Sequence, residues 1–404
     1  MKIAFIVGEF PALSETFILN QITGLIDLGN KVEIFALGGN FDRKIHPDVM
    51  KYNLKDITHY IDVPPNRIVR IIKAIFLFST HFSQDPIRLL RSLNLFRFGK
   101  QTLSLNLFYF TIKLLHKNFD VLYCHFGTIG NIGACLKNIG IKGKLVTVLY
   151  GADIKPAFIE KKNFYTNLFN TGDLFIAITQ YHYKIFIHLG IDSKKIILHP
   201  VGIDVKQFSQ KQPDIVTKNS VINILTVARL VEDKGLEYGI KAIKELRTHN
   251  PTLRLNYNII GEGPLSFSLR KLVKDLNLTE TVHFAGPMTK EEIIEEMKKN
   301  QIFILPSISE TFGVVLLEAQ AMHLPVIATN IGGVSEALVD GKSGFLVPSK
   351  DIKSMAEKME YLINNRRVGS KMGRYGRKFV ESHYSINVLN KQLNSILNTL
   401  ITKT

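Results

Sequence analysis

Short apolar runs closed by turn residues alternate with helix-like segments along nearly the whole chain, and this alternation excludes most folds at once. Strand, helix and second strand in that rhythm form βαβ units, so the pattern predicts parallel sheets flanked by helices rather than an antiparallel meander. In the first half the strand-like runs are residues 3–7, 31–35, 121–124, 144–148 and 174–178, with a helix predicted over 15–28 and stopped at Gly29-Asn30. The pattern restarts with strands predicted at 222–227, 255–260, 281–284, 302–305 and 324–329, and a helix at 314–322. No repeat of fixed period and no low-complexity tract interrupts it. A chain of 404 residues with 46% hydrophobic content can build two such domains, each around its own core. The predicted joint is His199-Pro200-Val201-Gly202-Ile203-Asp204, giving an N-terminal domain over 1–204 and a C-terminal domain over 205–384. The last stretch, 385–404, is expected to be a helix packing back toward the first domain.

Composition removes several function classes. Cys124 and Cys135 are the only cysteines, which supplies neither a disulfide framework nor a zinc cluster and fits a reducing cytoplasm. Lys2 precedes only five apolar residues before Gly8 and Glu9, too short a run for a signal peptide, so it reads as the first strand. The net charge of +16 is spread along the chain, with 24 Lys and Arg against 15 Asp and Glu in residues 1–204 and 27 against 20 in the rest. Without a nucleic-acid-binding pattern, an anionic ligand or an anionic membrane surface is the better explanation.

One segment stands apart. Residues 66–118 carry nine basic residues (Arg67, Arg70, Lys73, Arg88, Arg91, Arg97, Lys100, Lys113, Lys117) and a single acid, Asp85. Arg67, Arg70 and Lys73 recur every three positions beside Ile68, Ile71, Ile72, Ile75 and Phe76, a pattern suited to a basic amphipathic helix lying on anionic lipid. An ordinary domain helix with its apolar face in the core fits the pattern equally well. The apolar run 74–78 is too short to span a bilayer.

The chemistry concentrates in Ser309-Glu310-Thr311-Phe312-Gly313-Val314-Val315-Leu316-Leu317-Glu318, where two carboxylates lie eight positions apart across a strand-to-helix junction. Ligands bind at the carboxyl ends of parallel strands, and free amides at a helix start favour an anion or hydroxyl groups there. Glu318 interrupts an apolar run, so its burial without a partner would be costly and a ligand hydroxyl could supply the missing donor. A first-turn acid and a solvated glutamate are the plainer alternatives. The following Ile331-Gly332-Gly333-Val334-Ser335-Glu336 and Asp340-Gly341 add further turn chemistry after the next strand.

With that context the chain resembles the retaining, nucleotide-sugar-dependent glycosyltransferases of family 4, and within them the enzymes of colanic-acid-type surface polysaccharides. The resemblance covers nearly the whole chain and is strongest from Ile222 to Val347. It implies the GT-B fold, two doubly wound Rossmann-like domains facing each other across a cleft, with acceptor binding in the first domain and the nucleotide sugar in the second. It also implies an NDP-sugar donor, a lipid-linked or polysaccharide acceptor, no metal cofactor, and placement in the cytoplasm or on the inner face of the cytoplasmic membrane. Two rivals remain open, an NDP-sugar 2-epimerase of the same architecture and a catalytically silent partner subunit.

The residues implied follow from matching motifs. Arg229 and Lys234, after the strand at 222–227, correspond to the cations that hold the leaving diphosphate, which preorganised charge stabilises. Glu310, with the amides of Phe312, Gly313, Val314 and Val315, would face the donor sugar, and Glu318 would accept from the ribose. Gly261 and Gly263 in the Gly-Glu-Gly-Pro turn would allow close approach of a nucleotide, though a plain tight turn also explains them. Gly286 and Met288 occupy the place where the base is packed. His125 resembles the histidine that contacts the sugar near its anomeric centre, while Tyr150 departs from the histidine many relatives carry there. Ser14 and Glu15 are candidate acceptor contacts, and Ser14 also suits a helix cap.

Overall fold

A computed structural model describes residues 1–12, 15–39, 46–151, 153, 164–208 and 221–402. The chain divides into two compact units: the first comprises 1–178, 182–200 and 389–404, and the second 179–181 and 201–388.

The first unit holds a seven-stranded parallel sheet in the order β3-β2-β1-β4-β5-β6-β7. Its strands are β1 (Lys2–Glu9), β2 (Lys31–Gly38), β3 (Thr58–Tyr60), β4 (Val121–His125), β5 (Lys144–Leu149), β6 (Leu174–Ala177) and β7 (Ile196–Leu198). The central strands read as continuous apolar runs because both faces are covered: Ile3 to Val7 and Val121 to Cys124 are all buried. The helix Thr16–Asp27 meets the C-terminal helix Ile386–Thr402, where Asn390 Nδ2 donates to the Asn20 carbonyl at 3.0 Å. A β-carbon at Gly24 would come within 1.7 Å of that amide nitrogen, so this crossing requires glycine.

The second unit holds a six-stranded parallel sheet in the order β10-β9-β8-β11-β12-β13. These are β8 (Ile222–Val227), β9 (Leu255–Ile260), β10 (Val282–Gly286), β11 (Ile302–Leu305), β12 (Val326–Thr329) and β13 (Gly344–Val347). From β8 the chain winds outward through β9 and β10, then returns to lay β11 on the other flank of β8. The carboxyl ends of β8 and β11 therefore flank a topological switch point, where open α/β sheets bind their ligands. In the first unit β1 and β4 flank the equivalent point.

Candidate active site

Two loops build the site of the second unit. After β8 the chain runs through Ala228-Arg229-Leu230 into a 3₁₀ turn, Glu232–Lys234, and the helix Leu236–His249. After β11 it runs through Pro306 to Gly313 into the helix Val314–Ala321. The Asp233 carbonyl accepts from the amides of Ile308 (2.8 Å) and Ser309 (3.0 Å), which ties the two loops together. Gly235, at φ +55°, lies so near the Pro306 carbonyl that a β-carbon would approach it to 2.2 Å. From that junction Lys234 Nζ meets Glu310 Oε2 at 2.5 Å, with only 19% and 12% of the two side chains exposed. The residues that the motifs assigned to diphosphate and sugar thus form one ion pair across the switch point. An ammonium has three donors, so the bond to Glu310 leaves Lys234 able to hold a second anion.

Arg229 is exposed, and among the described residues it joins no ion pair, with Glu232 or Asp233 or any other acid. Its loop is braced from behind. Leu230 N donates to the Glu262 carbonyl at 2.8 Å, and β-carbons at Gly261 and Gly263 would lie 2.0 Å from Ala228 O and 2.5 Å from Leu230 O. Those two glycines therefore have a full physical reason in the protein's own backbone. Gly286 differs, since it has φ +77° and nothing within 4 Å of a β-carbon, which leaves open space beside it and before Met288.

Glu310 Oε1 also accepts from its neighbour's amide, Thr311 N, at 3.2 Å. The first helical amides at Val314 and Val315 follow Gly313, which has φ +84° and caps the helix without a side-chain bond, so these donors remain available. Phe312 is buried, its ring 5.5 Å from that of Tyr384. Glu318, one turn along, is half-buried, and no protein donor reaches its carboxylate among the described residues. Desolvation pushes its pKa up to about 7, opposed weakly by Lys290.

Alignment with known families fits this geometry. A profile described as glycosyl transferases group 1 matches residues 207–379. WcaL of Escherichia coli K12, named as a colanic acid biosynthesis glycosyltransferase, is 31% identical over 421 residues, covering 99% of this chain and 100% of the relative. The chain belongs to the group 1 glycosyltransferases. A glycosyltransferase named for amylovoran biosynthesis, AmsK of Erwinia amylovora, is also 31% identical, across 99% of this chain and 100% of its own. The crystal structure of Anabaena HepE in complex with UDP-glucose superposes with a TM-score of 0.71 at 18% identity, covering 99% and 100% of the two chains. The fold is thus GT-B, and the expectations of family, fold class and enzyme class hold.

Two residues that the sequence offered only as turn chemistry, Gly332 and Gly333, prove to shape the site of this glycosyltransferase. Gly332, at φ +49°, packs on the Glu310 carbonyl, and a β-carbon there would sit 1.9 Å from it. Gly333 does the same to Thr311 at 2.3 Å, so the loop after β12 fixes the backbone that carries Glu310. A Gly-Gly pair after a strand was the available signal.

The first unit places its predicted residues in a separate cluster. His125 is the last residue of β4 and is fully buried. It lies among Phe5, Phe17, Tyr123 and Tyr150, and burial lowers its pKa to about 3, so the ring is neutral at ordinary pH. Its Nδ1 lies 3.0 Å from the Tyr150 hydroxyl, while Nε2 has no partner among the described residues. Tyr150, the departure from the family pattern, thus fixes the histidine. Asp153 accepts from the amides of Gly127 (2.9 Å) and Tyr150 (2.8 Å), joining the loops after β4 and β5. Glu15 is half-buried and stands before the helix Thr16–Asp27 without capping it, its pKa raised by desolvation and by Glu9. Ser14 lies outside the described residues. A Tyr150→Phe variant strips a buried ring nitrogen of its partner and is expected to cost about 1–3 kcal/mol, read by denaturant unfolding.

Proposed function

We propose that this glycosyltransferase moves a sugar from a nucleoside-diphosphate donor to a lipid-linked or polysaccharide acceptor during assembly of a cell-surface polysaccharide, with retention of anomeric configuration. The observation that carries the reading is the Lys234–Glu310 pair at the switch point, beside an Arg229 that joins no ion pair and a Glu318 carboxylate that no protein donor reaches among the described residues. Arg229 and Lys234 hold the diphosphate, Glu310 and the amides from Phe312 to Val315 face the donor sugar, and Glu318 accepts from the ribose hydroxyls. The nucleobase packs beside Gly286 and Met288, while Gly261 and Gly263 brace the arginine loop. As the bond from the anomeric carbon to the diphosphate oxygen breaks, charge grows on that oxygen and the two cations stabilise it. The departing phosphate takes the proton of the attacking hydroxyl on the same face, which gives retention. His125, neutral, is assigned to the sugar through its Nε2, which has no partner among the described residues and reaches a ligand only once the rings that enclose it move aside, and Ser14 and Glu15 are assigned to the acceptor. No metal is assigned, since the cations fill that electrostatic role. Relatives named for colanic acid and amylovoran synthesis support the product class, and the HepE complex with UDP-glucose supports the donor class. A lipid-linked acceptor places the enzyme peripherally on the inner face of the cytoplasmic membrane.

The test is a calorimetric screen of NDP-sugars followed by transfer to lipid-linked sugars, with the product anomer read by NMR. One donor class should bind and yield a glycoside of unchanged anomeric configuration. A free sugar isomer without glycoside, or an inverted product, would overturn the reading.

A further inference from the structure

The helix Arg67–His81 is turned the opposite way from a domain helix with its apolar face in the core, one of the two readings its sequence allowed. Arg70, one of the charges expected to face headgroups, donates instead to the carbonyls of Pro64 (2.7 Å), Ser104 (3.2 Å) and Pro65 (3.3 Å). Lys73 pairs with Asp62 at 2.5 Å and lies 5.9 Å from the Tyr109 ring centroid, and Tyr109 donates back to the Arg70 carbonyl at 2.8 Å. Of this helix only Ala74 is buried. The opposite face, at the spacing of successive turns, leaves Ile68, Ile72 and Phe76 exposed at 70%, 62% and 65%, with Ile71 and Ile75 beside them. The basic residues therefore lock the helix to the body and hold an apolar ridge outward, which in water is a costly arrangement unless something covers it.

We propose that this ridge docks on an anionic lipid bilayer. The inference deepens the peripheral placement proposed above and rests on it. The argument for lipid rather than a second copy is charge. Residues 66–118 contain a single acid, Asp85, and that carboxylate is engaged by Arg88 at 3.1 Å and by capping its own helix. Arg67 on the same helix is exposed, as are Arg97 and Lys113 later in the segment, and Phe96 on the short helix Leu95–Phe98 is wholly exposed. Two such surfaces brought together would oppose like charges, whereas anionic headgroups complement them. No helix among the described residues is long and apolar enough to cross a membrane, and fifteen residues span about 22 Å, so the ridge lies along the interface with its side chains below the headgroups.

Cosedimentation of the full chain with phosphatidylcholine vesicles, with and without phosphatidylglycerol, tests this directly. The wild type should bind the anionic vesicles in a salt-sensitive manner and the neutral ones far less. The exposed double variant Ile72→Glu/Phe76→Glu should lose about tenfold or more of that binding while its thermal melting is unchanged. Anionic binding that the double variant retains in full would overturn this face and leave peripheral attachment standing. No vesicle binding by the wild type would overturn both, and neither result depends on sugar transfer. If the same variant instead converted a lipid-free dimer to monomer, the ridge would belong to a second copy and the proposal would fall.

Discussion

Lys234→Ala is expected to lower kcat/KM for sugar transfer by about 10²- to 10³-fold, the usual consequence of removing one preorganised charge from a developing anion. The expectation has to be separated from simple damage, because Lys234 is the ion-pair partner of Glu310 at 2.5 Å and both side chains are largely shielded. Removing one member of a fully buried pair costs about 3–5 kcal/mol, and partial exposure here brings the figure down to roughly 2–3 kcal/mol. A double-mutant cycle makes the distinction. Glu310→Ala added to Lys234→Ala removes the orphaned carboxylate and should restore most of the lost stability. Activity should stay low, since the diphosphate still lacks its cation. Recovery of near-wild-type turnover in the double variant would show that the pair only braces the loops, and the diphosphate assignment would have to move to Arg229 alone.

How much of this was legible in the sequence depends on what sets each feature. The ten strands read from apolar runs are present because strands buried on both faces need uninterrupted apolar side chains, as at β4 and β11. β3, β7 and β13 went unread, being three or four residues long at sheet edges or between Gly-rich turns, with partly exposed side chains. Arg229, Lys234 and Glu310 could be picked out because a strand end followed by a helix start is a local pattern. Their mutual contact could not, since it depends on Asp233 accepting from Ile308 and Ser309, more than 70 residues away in the chain. The enclosure of His125 escaped notice for the same reason: its aromatic neighbours come from β1, from the helix Thr16–Asp27 and from the loop after β5. Periodicity found the ridge of the helix Arg67–His81, but it could not say which side faced the body. Three backbone carbonyls on Arg70 and one carboxylate on Lys73 decided it.

Glu318 should make stability and donor affinity respond to pH in opposite directions. Its folded pKa of about 7 lies above the ordinary value of 4.5, because desolvation disfavours the carboxylate. Between those two values the folded protein holds a proton that the unfolded chain has released, so stability is full below pH 4.5, falls as pH rises through the window and is level above about 7. At 1.36 kcal/mol per unit the loss is roughly 3 kcal/mol at most, and water reaching the half-buried group reduces it. A ribose hydroxyl reverses the preference, since it donates to the ionised form. Donor affinity should therefore rise over the same window and level off near pH 7. Glu318→Gln should remove both slopes, melt above the wild type at pH 8, and bind UDP about tenfold more weakly, given that a hydrogen bond to a charged group contributes about 1.5–3 kcal/mol. Melting curves and UDP calorimetry at pH 5, 6, 7 and 8 read both trends, and a UDP affinity equally flat in wild type and variant would remove Glu318 from the donor site. An unsatisfied carboxylate among Leu316, Leu317 and Ala319 is a stability cost with no structural return, and a bound hydroxyl is the group that would offset it.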